Sequence, residues 1–120
     1  MKKVTKTSLK RKLDKEVSRI VRARGVCARC GRGAEAVTLQ CSHIIGRTHL
    51  GTRWSLDNCF ALCIKCHLYW WHREPLQAAE WAKEYLGELK YNELLRQATA
   101  IKQWTVDELQ ELLKLLKEMG

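Results

Sequence analysis

Residues 58–72 read NCFALCIKCHLYWWH. The run CFAL is short, apolar and preceded by Asn58, the pattern of a buried strand near NCFAL. CIKC then places Cys63 and Cys66 with two residues between them, a spacing that lets two sulfurs turn toward one ion. His67 follows the last cysteine directly, where HLYWWH can begin a helix.

Working outward, a second pair, Cys27 and Cys30 in CARC, lies upstream. Two CxxC pairs supply four thiolates, the donor set of a closed tetrahedral zinc site. Glycine and basic residues nearby (RCGRG, IKC) suit a tight turn and thiolate charge. Two disulfides or redox pairs are the alternatives. The basic start, MKKVTKTSLKRK, is followed by no apolar core of a signal peptide, so disulfides are disfavoured and a cytoplasmic location is expected. Structural Zn²⁺ on Cys27, Cys30, Cys63 and Cys66 is therefore predicted. Cys41 and Cys59 are unpaired in this pattern and read as buried free thiols, a role for Cys41 near the active centre being the lesser alternative.

The segment between the knuckles is longer than in a simple zinc ribbon, so the ion is expected to clasp the ends of an insert. Within it, VTLQCSHIIGR reads as a strand carrying Ser42 and His43, a glycine-containing turn follows, and NCFAL is the second strand. The order is strand, strand, helix, with His43, Asn58 and His67 distributed over them.

Charge is uneven. The chain has a net charge of +9. Residues 1–24 carry ten Lys/Arg against two acids, whereas residues 76–120 carry six against eight. A basic front half points to a polyanion partner, most often nucleic acid; a solvated helix face aiding solubility is the plainer alternative. In SLKRKLDKEVSRIVRAR, Leu9, Leu13, Val17, Ile20 and Val21 fall on one helical face. Lys10, Lys12, Lys15, Arg19 and Arg22 are among the residues covering the rest, and Gly25 is the expected stop. After Pro75, helices are expected over PLQAAEWAKEYLG, YNELLRQATAI and TVDELQELLKLLKEMG. The last opens with a capping box, Thr105 and Glu108, and carries a Val106, Leu109, Leu112, Leu113, Leu116 stripe read as core packing rather than a dimer seam. No apolar run reaches the length of a membrane span. Three segments result: a basic helix (1–25), a zinc-clasped core (26–75) and a helical extension (76–120).

His43, Asn58 and His67 between flanking CxxC pairs resemble the HNH (ββα-metal, or His-Me finger) endonucleases over residues 27 to about 73. SHIIGR, TRWSLDN and CIKCH, with the C-terminal PLQAAEW and WTVDELQEL, are also similar to phage NinG/Rap-type recombination nucleases. The resemblance implies an α+β ββα-metal finger that hydrolyses DNA phosphodiesters. It implies His43 as general base, Asn58 as the residue tying the inter-strand loop, and His67 as ligand of a catalytic Mg²⁺ or Mn²⁺, other divalent ions remaining open. Arg47 and Arg53 are expected on phosphate. Double-stranded or branched DNA is the implied partner, a homodimer stays open, and the location becomes the host cytoplasm for a phage protein.

One position departs from that pattern. Many HNH enzymes place a metal-binding Asp before the base; here it is Ser42, a weak ligand at best. His49 and His72 are then candidate helpers, although His72, five residues past His67, is expected off its helical face. Ser42 also supports the competing reading, a catalytically weak or inactive zinc-dependent DNA-binding module. A redox or zinc-storage role needs neither His43 nor Asn58. Trp70 and Trp71 read as core beneath the knuckle rather than as base-stacking platforms.

Overall fold

The computed structural model describes residues 3–119. Met1, Lys2 and Gly120, which belong to the terminal segments named above, lie outside the described residues. The element order is α1 (Lys6–Arg22), β1 (Leu39–His43), a single 3-10 turn (Leu56–Asn58), β2 (Cys59–Cys63), α2 (Ile64–Cys66), a π-helical turn (His67–Trp71), α3 (Pro75–Leu86), α4 (Glu88–Thr99) and α5 (Val106–Glu118).

Helix α1 starts where Thr5 accepts a hydrogen bond from the Ser8 N–H, satisfying one free donor of the first turn. Leu9, Leu13, Val17 and Val21, each four residues apart, are buried. They pack on the hairpin and on Leu109, Leu113 and Leu116 of α5. The α5 stripe is therefore core, as its period implied. Each such side chain removed from water stabilises the fold by about 1.5–3 kcal/mol.

Strands β1 and β2 are antiparallel, with Leu39 opposite Cys63, Cys41 opposite Ala61 and His43 opposite Cys59. Side chains alternate between faces. Leu39, Cys41 and His43 therefore share one face with Cys59, Ala61 and Cys63. Gln40 and Ser42 share the other with Phe60 and Leu62. All of β2 is buried, consistent with its unbroken apolar run. One hairpin forms, and an isolated bridge joins Val26 to Gly33.

Phe60 anchors an aromatic cluster, meeting Trp71, Trp81 and Tyr85 edge to face at 5.8, 5.1 and 5.0 Å. Trp70 leans on Trp81 and lies under the Arg29 guanidinium, 4.1 Å from its ring centre. Both Trp70 and Trp71 are half-buried and packed against protein. Helix α3 opens with Pro75 at its first turn and ends at Gly87, whose φ of 90° is open to glycine but strained for other residues. Helix α4 begins at Glu88, three residues before the expected YNELL, because Gly87 serves both as stop and as restart. The capping box of α5 is present, Thr105 and Glu108 exchanging hydrogen bonds of 3.0 and 3.1 Å. No helix among the described residues is long and apolar enough to cross a membrane.

Candidate active site

The two knuckles meet at the end of the hairpin farthest from His43. The sulfurs of Cys27, Cys30, Cys63 and Cys66 all lie within 4.8 Å of one another. Cys30 Sγ and Cys63 Sγ are 3.8 Å apart. Four sulfurs at about 2.3 Å from a tetrahedral ion would sit about 3.8 Å from each other, so the set fits zinc. The backbone N–H of Cys30 donates to Cys27 Sγ at 3.5 Å, that of Cys66 to Cys63 Sγ at 3.4 Å, and Arg29 to Cys66 Sγ at 3.7 Å. Burial pushes the Cys27 thiol up, yet backbone N–H groups of Cys30, Cys63 and Arg29 outweigh it and bring it to about 6. Gly31, with a φ of 79°, closes the first knuckle by donating to the Cys27 carbonyl at 2.9 Å.

A groove of about 810 Å³ runs along the edge of β1. Its lining includes Ser18 and Arg22 of α1, His43 and Arg47, and His67 and His72. His43 is partly buried at the end of β1. Burial first, then the Arg47 charge, lowers its pKa from 6.5, while the nearby Arg53 backbone and the Asp14 charge work the other way. The neutral imidazole is thereby favoured, with a proton on one ring nitrogen and a lone pair on the other.

Asn58 is fully buried. Its Oδ1 accepts from the Ile45 N–H at 2.8 Å, and its Nδ2 donates to the carbonyls of Ile45 at 3.0 Å and Thr52 at 3.1 Å. Three bonds thus pin the loop after His43 to the start of β2.

His67 lines the same groove as His43. Its Nδ1 is 2.6 Å from Gln40 Oε1. Because that oxygen accepts only, Nδ1 is the donor and Nε2 keeps its lone pair. His72 Nε2 stands 3.1 Å from His67 Nε2. The expectation that His72 falls off the His67 face is thereby corrected. In a π-helical turn the N–H of residue i+5 bonds the carbonyl of residue i, and His72 N–H donates to the His67 carbonyl at 3.2 Å. The two imidazoles therefore come to one side, their centroids 4.6 Å apart and their planes tilted by 46°. Two nitrogens each about 2.1 Å from one ion would be about 3.0 Å apart in octahedral and about 3.4 Å in tetrahedral geometry, so 3.1 Å suits a shared divalent ion. Burial, then the charges of His72 and His43, lowers the His67 pKa from 6.5.

The other predicted site residues fall as follows. Ser42 is buried, and its Oγ has no hydrogen-bond partner. It shares the Gln40 face of the hairpin, the side on which His67 is held. His49 is exposed on the inter-strand loop, and Arg47 is exposed at the groove. Arg53, expected on phosphate, gives its fork to Asp14 instead, Nε to Oδ1 at 3.0 Å and Nη2 to Oδ2 at 2.7 Å. Arg19 pairs with Glu16 at 2.6 Å and donates to the Leu116 and Met119 carbonyls at the end of α5. Lys12 and Lys15 are exposed and Lys10 partly so.

Sequence reasoning misses two residues. Asp14 also accepts from Trp54 Nε1 at 2.8 Å and so ties α1 to the loop behind His43; a lone acid among KRKLDK is its signal. Gln40 orients His67, and only the strand alternation that puts it beside Ser42 hints at this.

Searches of curated proteins and of solved structures gave no match. A family comparison did, and it supports a nuclease-type, metal-associated action on DNA. The stretch that holds both knuckles, the hairpin and His67, residues 27–69, matches the family model of the HNH endonucleases.

Proposed function

We propose that the protein is a metal-dependent DNA endonuclease whose catalytic groups are His43, Asn58, His67 and His72. The observation that carries this reading is the pair of Nε2 atoms 3.1 Å apart, with the His67 tautomer set by Gln40, in the same groove as His43. His67 and His72 would hold a divalent ion, which when bound polarises the scissile phosphate and stabilises the leaving 3′ oxygen. His43, its pKa lowered from 6.5 and so neutral at pH 7, takes the proton of the attacking water. Asn58 fixes the loop that aims it. Arg47 and Arg22 bind flanking phosphates, and Lys10, Lys12 and Lys15 extend a salt-sensitive contact along the duplex. Arg53 acts through Asp14 as part of the frame. The four-cysteine zinc holds the hairpin ends together. The products would be 5′-phosphate and 3′-hydroxyl ends. Branched or recombination DNA, cleaved by a homodimer in the host cytoplasm, is the substrate setting that the NinG/Rap-type resemblance supports. Residues 1–25, 26–75 and 76–120 then act as basic arm, catalytic core and bracing extension.

The test is cleavage of supercoiled plasmid and a four-way junction by wild type and His43→Ala across Mg²⁺, Mn²⁺ and Ni²⁺, with EDTA as control. Metal-dependent cutting by wild type alone supports the reading. Cutting retained in His43→Ala removes the base assignment. The second reading, a zinc-dependent DNA-binding module, is favoured by the neutral, unpartnered Ser42 Oγ where a carboxylate ligand would stand. It predicts binding without turnover under every ion.

A further inference from the structure

Cys41, His43 and Cys59 sit on one face of the hairpin. His43 and Cys59 are opposite each other in the register, and Cys41 is two residues before His43 on the same strand. Their sulfurs and a ring nitrogen all lie within 4.8 Å of one another. Two thiols and an imidazole are a donor set for a borderline-soft cation, and two of the three, Cys41 and His43, line the groove. Cys59 stands at the other end of β2 from Cys63. Their Cα atoms are about 13 Å apart in an extended strand, so this cluster and the four-cysteine clasp cannot share an ion.

We propose that Cys41, His43 and Cys59 form a second zinc-binding site, and that filling it withholds His43 from catalysis. The inhibitory part rests on the reading of His43 as base. An ion on Cys41 and Cys59 takes a ring nitrogen of His43 and fixes the imidazole against the hairpin, away from the attacking water. Loading releases one proton from each thiol and none from the neutral imidazole. The ion with two thiolates is then neutral overall, which limits the cost of placing it in a half-buried site. The donors lie within 4.8 Å of one another, so drawing them to the roughly 3.6–3.8 Å of a tetrahedral site asks for side-chain movements of at most about 1 Å. Cys59 Sγ has only a 3.6 Å hydrogen bond to the Ser55 carbonyl to give up. The Arg24 guanidinium, held 2.8 Å from the Cys59 carbonyl, adds a positive charge beside the two thiols.

The experiment uses the full chain carrying one zinc in its clasp, kept reduced with a phosphine. Cd²⁺ is titrated while thiolate-to-metal absorption is followed, and stoichiometry is read by native mass spectrometry. Wild type and His67→Ala should take up a further ion on cysteine. Cys41→Ala and His43→Ala should bind it roughly a hundredfold more weakly, the scale of losing one ligand of a few. Cys41 is only half-buried, so its variant tests the site even where buried Cys59→Ala fails to fold. No uptake beyond the clasp in wild type, or equal uptake by Cys41→Ala, overturns the site. In the second arm, Zn²⁺ is added to cleavage reactions and each protein is scaled to its own zinc-free rate. Wild type should be inhibited at roughly hundredfold lower Zn²⁺ than Cys41→Ala, and equal sensitivity overturns the withholding of His43. Absence of cleavage in every protein would remove the nuclease reading, and the inhibition with it, while the cadmium arm still decides the site.

Discussion

Replacing Asn58 by Ala should cost about 2–4 kcal/mol of stability. The side chain is fully buried and makes three bonds to backbone. The Thr52 carbonyl keeps another partner, the Ser55 N–H at 3.1 Å. The Ile45 N–H and carbonyl lose the Asn58 amide that satisfies both. Two orphaned groups at about 1–3 kcal/mol each would give about 2–6 kcal/mol, and the partial exposure of Ile45 admits water and favours the lower half. Asn58→Asp should fare little better. It keeps the acceptor for Ile45 N–H but turns a carboxylate toward two carbonyl oxygens. The assay is urea unfolding of the zinc-loaded protein, followed by tryptophan fluorescence, with m-values checked for two-state behaviour. A fall of about 3 kcal/mol corresponds to a melting point roughly 10 °C lower. A loss under about 1 kcal/mol for Asn58→Ala would refute the account of this residue as the pin of the loop.

Removing zinc, or replacing Cys63 by Ser, should unfold the hairpin region, seen as lost near-ultraviolet dichroism; an unchanged melt with zinc gone would argue against the clasp. His72→Ala should raise the divalent-ion concentration needed for half-maximal cleavage by roughly tenfold or more, with DNA affinity in EDTA unchanged, and an unaltered metal requirement would exclude His72 as a ligand. Asp14→Asn should lower stability by about 1–2 kcal/mol, through weaker bonds to Arg53 and Trp54, while tightening DNA binding. Its salt slope should steepen by about one unit as the Arg53 fork is freed, and an unchanged slope refutes that exchange. His43 and His67 both have folded pKa values below 6.5, so folding prefers their neutral forms. Their contribution is fully present above pH 6.5 and is lost as pH falls through the folded pKa values, because the unfolded chain binds more protons there. Cleavage should decline over the same acidic window; a rate that rises on acidification would contradict His43 as a neutral base.

The zinc knuckles, the strand–strand–helix order and the placing of His43, Asn58 and His67 are legible because each rests on short-range spacing. Cys63, Cys66 and His67 are neighbours in the chain, and a CxxC turn brings its sulfurs together whatever surrounds it. The start of α5 and the end of α3 are legible for the same reason. Thr105 and Glu108 box the start of α5 locally, and Gly87 stops α3 by its own backbone freedom.

Arg53 reads as a phosphate ligand because an arginine beside the motif has no visible partner in one dimension. Its partner, Asp14, lies 39 residues away on α1 and arrives only when that helix docks. A regular α-helix would place His72 off the His67 face; one wider turn at His67–Trp71 reverses the conclusion. Residue type and local spacing already carry the chemistry on offer, namely four thiols able to share an ion, an imidazole on a strand, a buried amide and a basic helix. Tertiary structure alone decided which nitrogens converge, which arginine is already taken, and that Cys41 and Cys59 flank His43. Those depend on strand register and helix docking, set by packing between residues far apart in the chain.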